Sequence, residues 1–126
     1  MLCCVCYCFC VREINFYKTE DGKCPVQDFL DSLSGKVVQK ILWVLKLIEE
    51  LERVPSKYFK NLDGTKIYEC RIDFAGNTYR LLGFFHNGNI VLLTNGFVKK
   101  TQKTPKEEIA LCEQRMKDYL AREAKK

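Results

Sequence analysis

The chain has 126 residues, 47% of them hydrophobic and 29% charged, with a formal net charge of +5. That length suits one domain with one core, and the mixed charge argues for a soluble globular protein. Residues 99–126 hold 9 Lys/Arg against 5 Asp/Glu, so +4 of the +5 lies there, which points to a polyanionic partner, nucleic acid before anionic membrane.

The first element is the opening "MLCCVCYCFCV", with five of the eight cysteines. It is too short to span a bilayer and lacks the basic start of a signal peptide, so membrane insertion and secretion are not expected and the setting is cytoplasmic. Its alternation predicts a strand with Cys4, Cys6, Cys8 and Cys10 on one side. Cys3 and Cys6 have C-x-x-C spacing, but no second such pair or His cluster follows, so no metal site is assigned. Regular patterning begins beside Val11, which divides the chain into a Cys-rich extension, 1–11, and a domain, 12–126. An accidental extension upstream of an alternative start codon is one reading of the first part. Cys24, Cys70 and Cys112 fall at apolar-pattern positions and are expected as buried thiols.

"REINFYK" (12–18) alternates as a strand does. Pro25 suits a first helical position, and Val26, Phe29, Leu30 and Leu33 make a short apolar stripe that Gly35 interrupts. From Lys36 to about Glu52, Val37, Ile41, Val44, Leu45, Ile48 and Leu51 recur as one face of an amphipathic helix, which Pro55 closes.

The period then becomes two. "IYECRIDF" (67–74), "TYRLLGFF" (78–85) and "NIVLLTNGFV" (89–98) predict three strands joined by hairpins, with Asn87-Gly88 a strong turn signal and Gly76-Asn77 a weaker one. A last helix is expected from Thr104 as N-cap, Pro105 at N1 and Glu107 at N3, with Ile109, Cys112, Met116, Tyr119 and Leu120 on one stripe. The predicted fold is α+β: a small antiparallel sheet, order β-α-α-β-β-β-α, with helices packed on it.

Either two-residue loop at 75–77 places Arg71 and Arg80 on one face of the sheet. Gly76-Asn77 sets Asp73 opposite Arg80; Ala75-Gly76 sets Arg71 opposite Arg80. A two-residue loop at Asn87-Gly88 sets Arg80 opposite Asn95. One face then carries Tyr68, Cys70, Ile72, Phe74, Tyr79, Leu81, Phe85, Ile90 and Leu92 and packs on the first two helices. The other carries Leu82, Phe84, Val91, Leu93 and Phe97, with a polar end of Glu69, Arg71, Asp73, Arg80 and Asn95 that the last helix leaves open. Two like charges on adjacent strands need a carboxylate network or a bound anion. Lys99, Lys100 and Lys103 follow in the next connection, beside a helix N-terminus, and extend this into a phosphate cradle that Lys57 and Lys60 enlarge. Tyr58 and Phe59 are candidates for base stacking or for the core.

"FYKTEDGKCPVQDFLDSL", "KNLDGTKIYECRIDFAGNTYRLLGFF" and "LLTNGFVKKTQKTPKEEI" together resemble the HigB-like, phage-derived branch of the RelE/ParE toxin superfamily, over about residues 12–120. The resemblance implies a RelE-like fold and a type II toxin that cleaves mRNA in the A site of the 70S ribosome, inhibiting translation. It implies attack by the RNA's own 2′-hydroxyl, with no metal or cofactor, and a helix-turn-helix, HigA-like antitoxin as partner. By position, Arg80 in "YRLL" matches the central catalytic arginine, and Arg71 and Lys100 match basic residues on the preceding strand and after the last one. Lys99, Lys103, Lys57 and Lys60 would bind RNA. His86, at the hairpin end roughly 20 Å from Arg80 at 3.3 Å per residue, is a turn residue; Glu69, Asp73 and Lys100 stay open as general base. A ParE-like toxin that inhibits gyrase without RNA chemistry is the alternative.

Overall fold

The computed structural model describes residues 10–100 and 103–126. The expected strand of Cys4, Cys6 and Cys8 and the Cys3–Cys6 spacing therefore lie outside the described residues. The chain forms β1 (Glu13–Phe16), α1 (Pro25–Asp31), α2 (Gly35–Glu50), β2 (Phe59–Asn61), β3 (Ile67–Phe74), β4 (Asn77–His86), β5 (Ile90–Lys99) and α3 (Lys106–Ala124). The class is α+β, as expected, but the sheet differs from the small antiparallel one predicted. It has five strands in the order β1-β5-β4-β3-β2, and β1 runs parallel to β5. Local alternation marks a strand without naming its neighbour, and β2, three residues long, is too short to show a period.

α1 and α2 cover one face. Val26 and Leu30 of α1, and Val37, Ile41, Val44, Leu45 and Ile48 of α2, join Cys70, Ile72, Tyr79, Leu81, Val91 and Leu93 in the main core. Gly35 opens α2 rather than separating two helices, with Ser34 as N-cap. Leu51, expected on the stripe, is 38% exposed because α2 ends at Glu50. Arg12 closes the helix end: its guanidinium donates to the carbonyl of Ile48 and, past the helix, to those of Leu51 and Glu52 at 2.7–3.0 Å, fixing β1's start there.

α3 covers the other face in two clusters: Met116 and Tyr119 against Tyr17, Phe84 and Leu92, and Cys112 and Ile109 against Ile67, Leu82 and Phe97. The expected membership of β5 is thus reversed at one end: Val91 and Leu93 face α1 and α2, and Leu92 faces α3. The cause is a β-bulge. Leu82 pairs with Asn95 and Gly83 with Leu93, leaving Thr94 unpaired and inverting the alternation beyond it. The hairpin loop is Asn87–Asn89, three residues instead of two, and Arg80 faces Phe97, not Asn95.

The bulge is held from α3. Arg115 Nη1 donates to the Thr94 carbonyl at 2.7 Å, and Asn95 Nδ2 donates to Glu108 Oε1 at 2.9 Å. On β4, Gly83 lies so close to β5 that any Cβ there would collide with the Leu92 carbonyl oxygen. No helix among the described residues is long and apolar enough to cross a membrane.

Candidate phosphate-binding site

The β3–β4 loop decides the site. Phe74 pairs with Asn77, so the loop is Ala75-Gly76, with φ of 53° and 82°. Both residues are left-handed, as the tight hairpin turn that matches strand twist requires. Of the two-residue loops open to the sequence, this one sets Arg71 directly opposite Arg80.

Three cross-strand rows then stack on the α3 face, at the end where Leu82 and Phe97 meet Ile109 and Cys112 of that helix: Lys60–Glu69–Leu82–Asn95, Arg71–Arg80–Phe97, and Asp73–Thr78–Lys99. They hold four cations and two carboxylates. Asp73 is exposed, so Glu69, only 1% exposed, is the sole buried counter-charge among them. Its Oε1 lies 3.1 Å from Arg71 Nε and 3.4 Å from Arg80 Nε. Neither Nε–H is aimed well enough to make a hydrogen bond, although both atoms are buried. One carboxylate oxygen between two guanidiniums gives Coulombic attraction without filling the fork of donors on either.

Arg80 is 6% exposed and also approaches Asp73 Oδ1 at 3.5 Å. Burial pulls its pKa below the usual value; Glu69 and Asp73 pull it back up, and Arg71 adds to the lowering. A guanidinium stays protonated through such a shift, so the charge is retained in a partly dehydrated position. Arg71 is half-buried and reaches round the sheet edge to the Ser56 carbonyl at 3.3 Å.

Glu69 is anchored from behind by Thr104, whose hydroxyl donates to Oε2. The capping box expected at Thr104 is therefore not formed: Pro105 is the N-cap, and α3 begins at Lys106. Thr104 instead ties the connection after β5 to the arginine pair.

The lysines divide. Lys99 is half-buried on the Arg80 face; burial lowers its pKa, Glu69 opposes this, and Arg80 and Arg71 add to it, which places its ammonium in the field of the pair. Lys100 is exposed and follows the last residue of β5, outside the three rows. Lys60 is exposed in the row of Glu69. Lys103 is exposed next to Thr104, and Lys57 lies with Nζ 4.9 Å from the centre of the Tyr58 ring. Phe59 belongs to the core, stacked on Tyr68 at 5.1 Å, while Tyr58 is half-buried against Trp43. His86 sits at the far end of β4 beside Tyr119 and 3.9 Å from Glu123. Compensation of the arginines by Glu69 and Asp73 was expected from sequence, whereas the hold of Thr104 on Glu69 was missed.

A concavity of about 700 Å3 lies elsewhere, between the β1–α1 connection and α3, lined by residues such as Tyr17, Asp21, Arg115 and Asp118. It shares no residue with the three rows. A strand surface on which Arg71, Lys99 and Lys60 surround the nearly buried Arg80 suits a polymer's phosphate better than an enclosed cavity does.

The model of the family described as "Phage derived protein Gp49-like (DUF891)" matches residues 28–117. The chain belongs to this Gp49-like family. Its members are commonly associated with toxins of toxin–antitoxin modules in the RelE/ParE superfamily. The matched span contains α2, all of β2 to β5 and most of α3, hence every residue of the three rows of this Gp49-like protein. No curated protein matches the chain.

Proposed function

We propose that this Gp49-like protein is the toxin of a type II toxin–antitoxin module, with a HigB-like, RelE-type fold, and acts as a ribosome-dependent endoribonuclease on mRNA. The observation that carries the reading is the direct Arg71–Arg80 pair, balanced by one buried carboxylate. Like charges held opposite one another destabilise a sheet by up to about 1 kcal/mol. A phosphodiester between them relieves that repulsion and occupies donors that Glu69 leaves free.

The chemistry needs only what RNA and the chain supply. The 2′-oxygen bonds to the adjacent phosphorus, the bond from phosphorus to the 5′-oxygen breaks, and a proton passes from the 2′-hydroxyl to a base while the 5′-oxygen gains one. Arg71 and Arg80 stabilise the extra charge on the non-bridging oxygens, as preorganised cations do. Lys99, on the same face and partly dehydrated, is the ammonium that faces this charge, and Lys100, Lys103, Lys57 and Lys60 hold flanking phosphates. Glu69 is committed to three partners and orients the guanidiniums, so the base is drawn from Asp73, a lysine or the ribosome itself. The partners on this reading are mRNA on the 70S ribosome and a helix-turn-helix, HigA-like antitoxin, in the cytoplasm.

The test is reconstituted translation with a defined mRNA, with primer extension to map cleavage. The expected result is cleavage within the A-site codon by the parent chain and its loss in Arg80→Ala. Intact transcripts together with trapped gyrase–DNA breaks would replace this reading by the ParE-like one.

A further inference from the structure

Trp43 is the sole tryptophan of the chain, and it lies on the outer face of α2 with 47% of its surface exposed. A side chain of that size gains most from burial and is commonly a contact residue where it is left out. Its surroundings are specific. Tyr58 and Trp43 meet as a T-shaped pair, 5.8 Å between ring centres and 86° apart in plane. Lys40 Nζ stands 4.4 Å from the Trp43 ring centre, and Lys57 Nζ stands 4.9 Å from that of Tyr58. Lys36 lies one turn before Lys40 on the same helix face.

This array joins the arginine pair through the backbone. The Tyr58 carbonyl accepts the Arg71 amide N–H at 2.8 Å, and the Ser56 carbonyl accepts the Arg71 guanidinium at 3.3 Å. The 55–58 segment thus carries cations and π-faces round the sheet edge, from Arg71 to the outer face of α2. Alternating positive charge and exposed aromatic rings is the composition of a single-strand track, in which ammonium groups follow phosphates and bases stack on rings.

We propose that Trp43 and Tyr58, flanked by Lys40 and Lys57, form a stacking subsite for an unpaired base of single-stranded RNA, on the strand whose phosphate sits at Arg71 and Arg80. The proposal rests on the nuclease reading above for the position of that phosphate. An exposed cation–π contact is weaker than a base–aromatic stack. An incoming base therefore takes the Trp43 face from Lys40 and frees the ammonium for the neighbouring phosphate. The subsite is tolerant of sequence, because every base has a π-face.

Because Trp43 stands alone, its fluorescence reports on the subsite directly. The purified full chain is titrated with a short unstructured ribo-oligonucleotide and, separately, with inorganic polyphosphate. Saturable quenching by RNA and none by polyphosphate is expected. With end-labelled RNA, Trp43→Leu should bind about tenfold more weakly and Trp43→Phe nearly as well as the parent, the size of one stack lost and regained. Circular dichroism confirms that each variant is folded. Unchanged fluorescence with RNA, equal quenching by both polyanions, or parental affinity in Trp43→Leu would overturn the subsite, as would shielding of Trp43 by a protein partner alone. The reconstituted cleavage assay separates the two ideas. Loss of cleavage in Arg80→Ala with parental RNA affinity in Trp43→Leu removes the subsite and keeps the nuclease. Quenching without any cleavage by the parent keeps RNA binding at Trp43 and removes the phosphate chemistry.

Discussion

Arg71 and Arg80 stand as a direct cross-strand pair on β3 and β4, and one oxygen of Glu69 lies within 3.4 Å of the Nε of each. Two positive groups are thus held together by a third residue. This separates the effects of removing each member. Arg80→Ala removes one of the like charges and leaves Glu69 with Arg71, so the fold should persist while cleavage falls on the order of 100-fold, the usual cost of losing one preorganised donor. Rate measurement beside a thermal melt checks both halves. Parental cleavage in a folded Arg80→Ala would remove the arginine from the chemistry.

Glu69→Gln should behave in the opposite way. It leaves Arg80 buried, without its buried counter-charge, and breaking such a pair costs about 3 kcal/mol. Combining it with Arg80→Ala should recover part of the loss, since the stranded charge is then gone. Urea unfolding of the two single variants and the double variant gives the coupling; strict additivity would mean that Glu69 does not hold Arg80.

Lys99 and Lys100 are adjacent in sequence but differ in placement: Lys99 shares the Arg80 face, and Lys100 is exposed past the strand end. Lys99→Ala should therefore lower cleavage more than Lys100→Ala, by about tenfold or more. Loss of a phosphate contact at Lys100 should appear as a shallower salt dependence of RNA binding. Equal cleavage defects in both would show that the loop, rather than the strand, delivers the ammonium.

The same contrast explains what was legible in the sequence. The stripe Val37, Ile41, Val44, Leu45 and Ile48 is buried as its spacing predicts, because a helix face is encoded within one segment. Arg71 and Arg80 share a face because strand alternation is equally local. Thr94 gave no sign of its bulge: a threonine within a strand is ordinary, and what fixes it is Arg115 from a helix 21 positions on. That one unpaired residue exchanged Leu92 and Leu93 between the faces, while Phe97 kept the face expected of it, with Lys99 beside Arg80 on the same face. Thr104 was equally misleading, since an N-cap pattern is local and its real partner, Glu69, lies 35 positions away.

If the bulge sets the site, packing against it must be tight. Gly83→Ala would drive a methyl group into the Leu92 carbonyl, and forced overpacking of this kind costs about 1–3 kcal/mol. The loss should show as a lower urea midpoint with unchanged slope, and cleavage should fall with it, because Lys99 depends on the same register. Parental stability would mean that β4 and β5 separate freely at the bulge.

The far end of β5's parallel neighbour offers a pH-dependent control remote from the arginines. Tyr17 donates its hydroxyl to Asp118 Oδ2 at 2.5 Å, and Arg122 Nη2 donates to the same oxygen at 2.7 Å and to the Lys18 carbonyl at 2.6 Å. The Tyr17 hydrogen bond, chiefly, and Arg122 hold the Asp118 carboxyl below its usual range. A carboxylate with a depressed folded pKa stabilises the protein above its unfolded value, near 3.8, and that contribution disappears as pH falls through the folded one. The melting temperature of Asp118→Asn should accordingly lie below that of the parent near neutral pH, and the two should converge as pH drops under about 4. Cleavage at neutral pH and permissive temperature should be unchanged, since Asp118 touches none of the three charged rows. A constant gap between the two melting curves at all pH values would assign the effect to the Tyr17 contact itself, rather than to the charge that Asp118 carries.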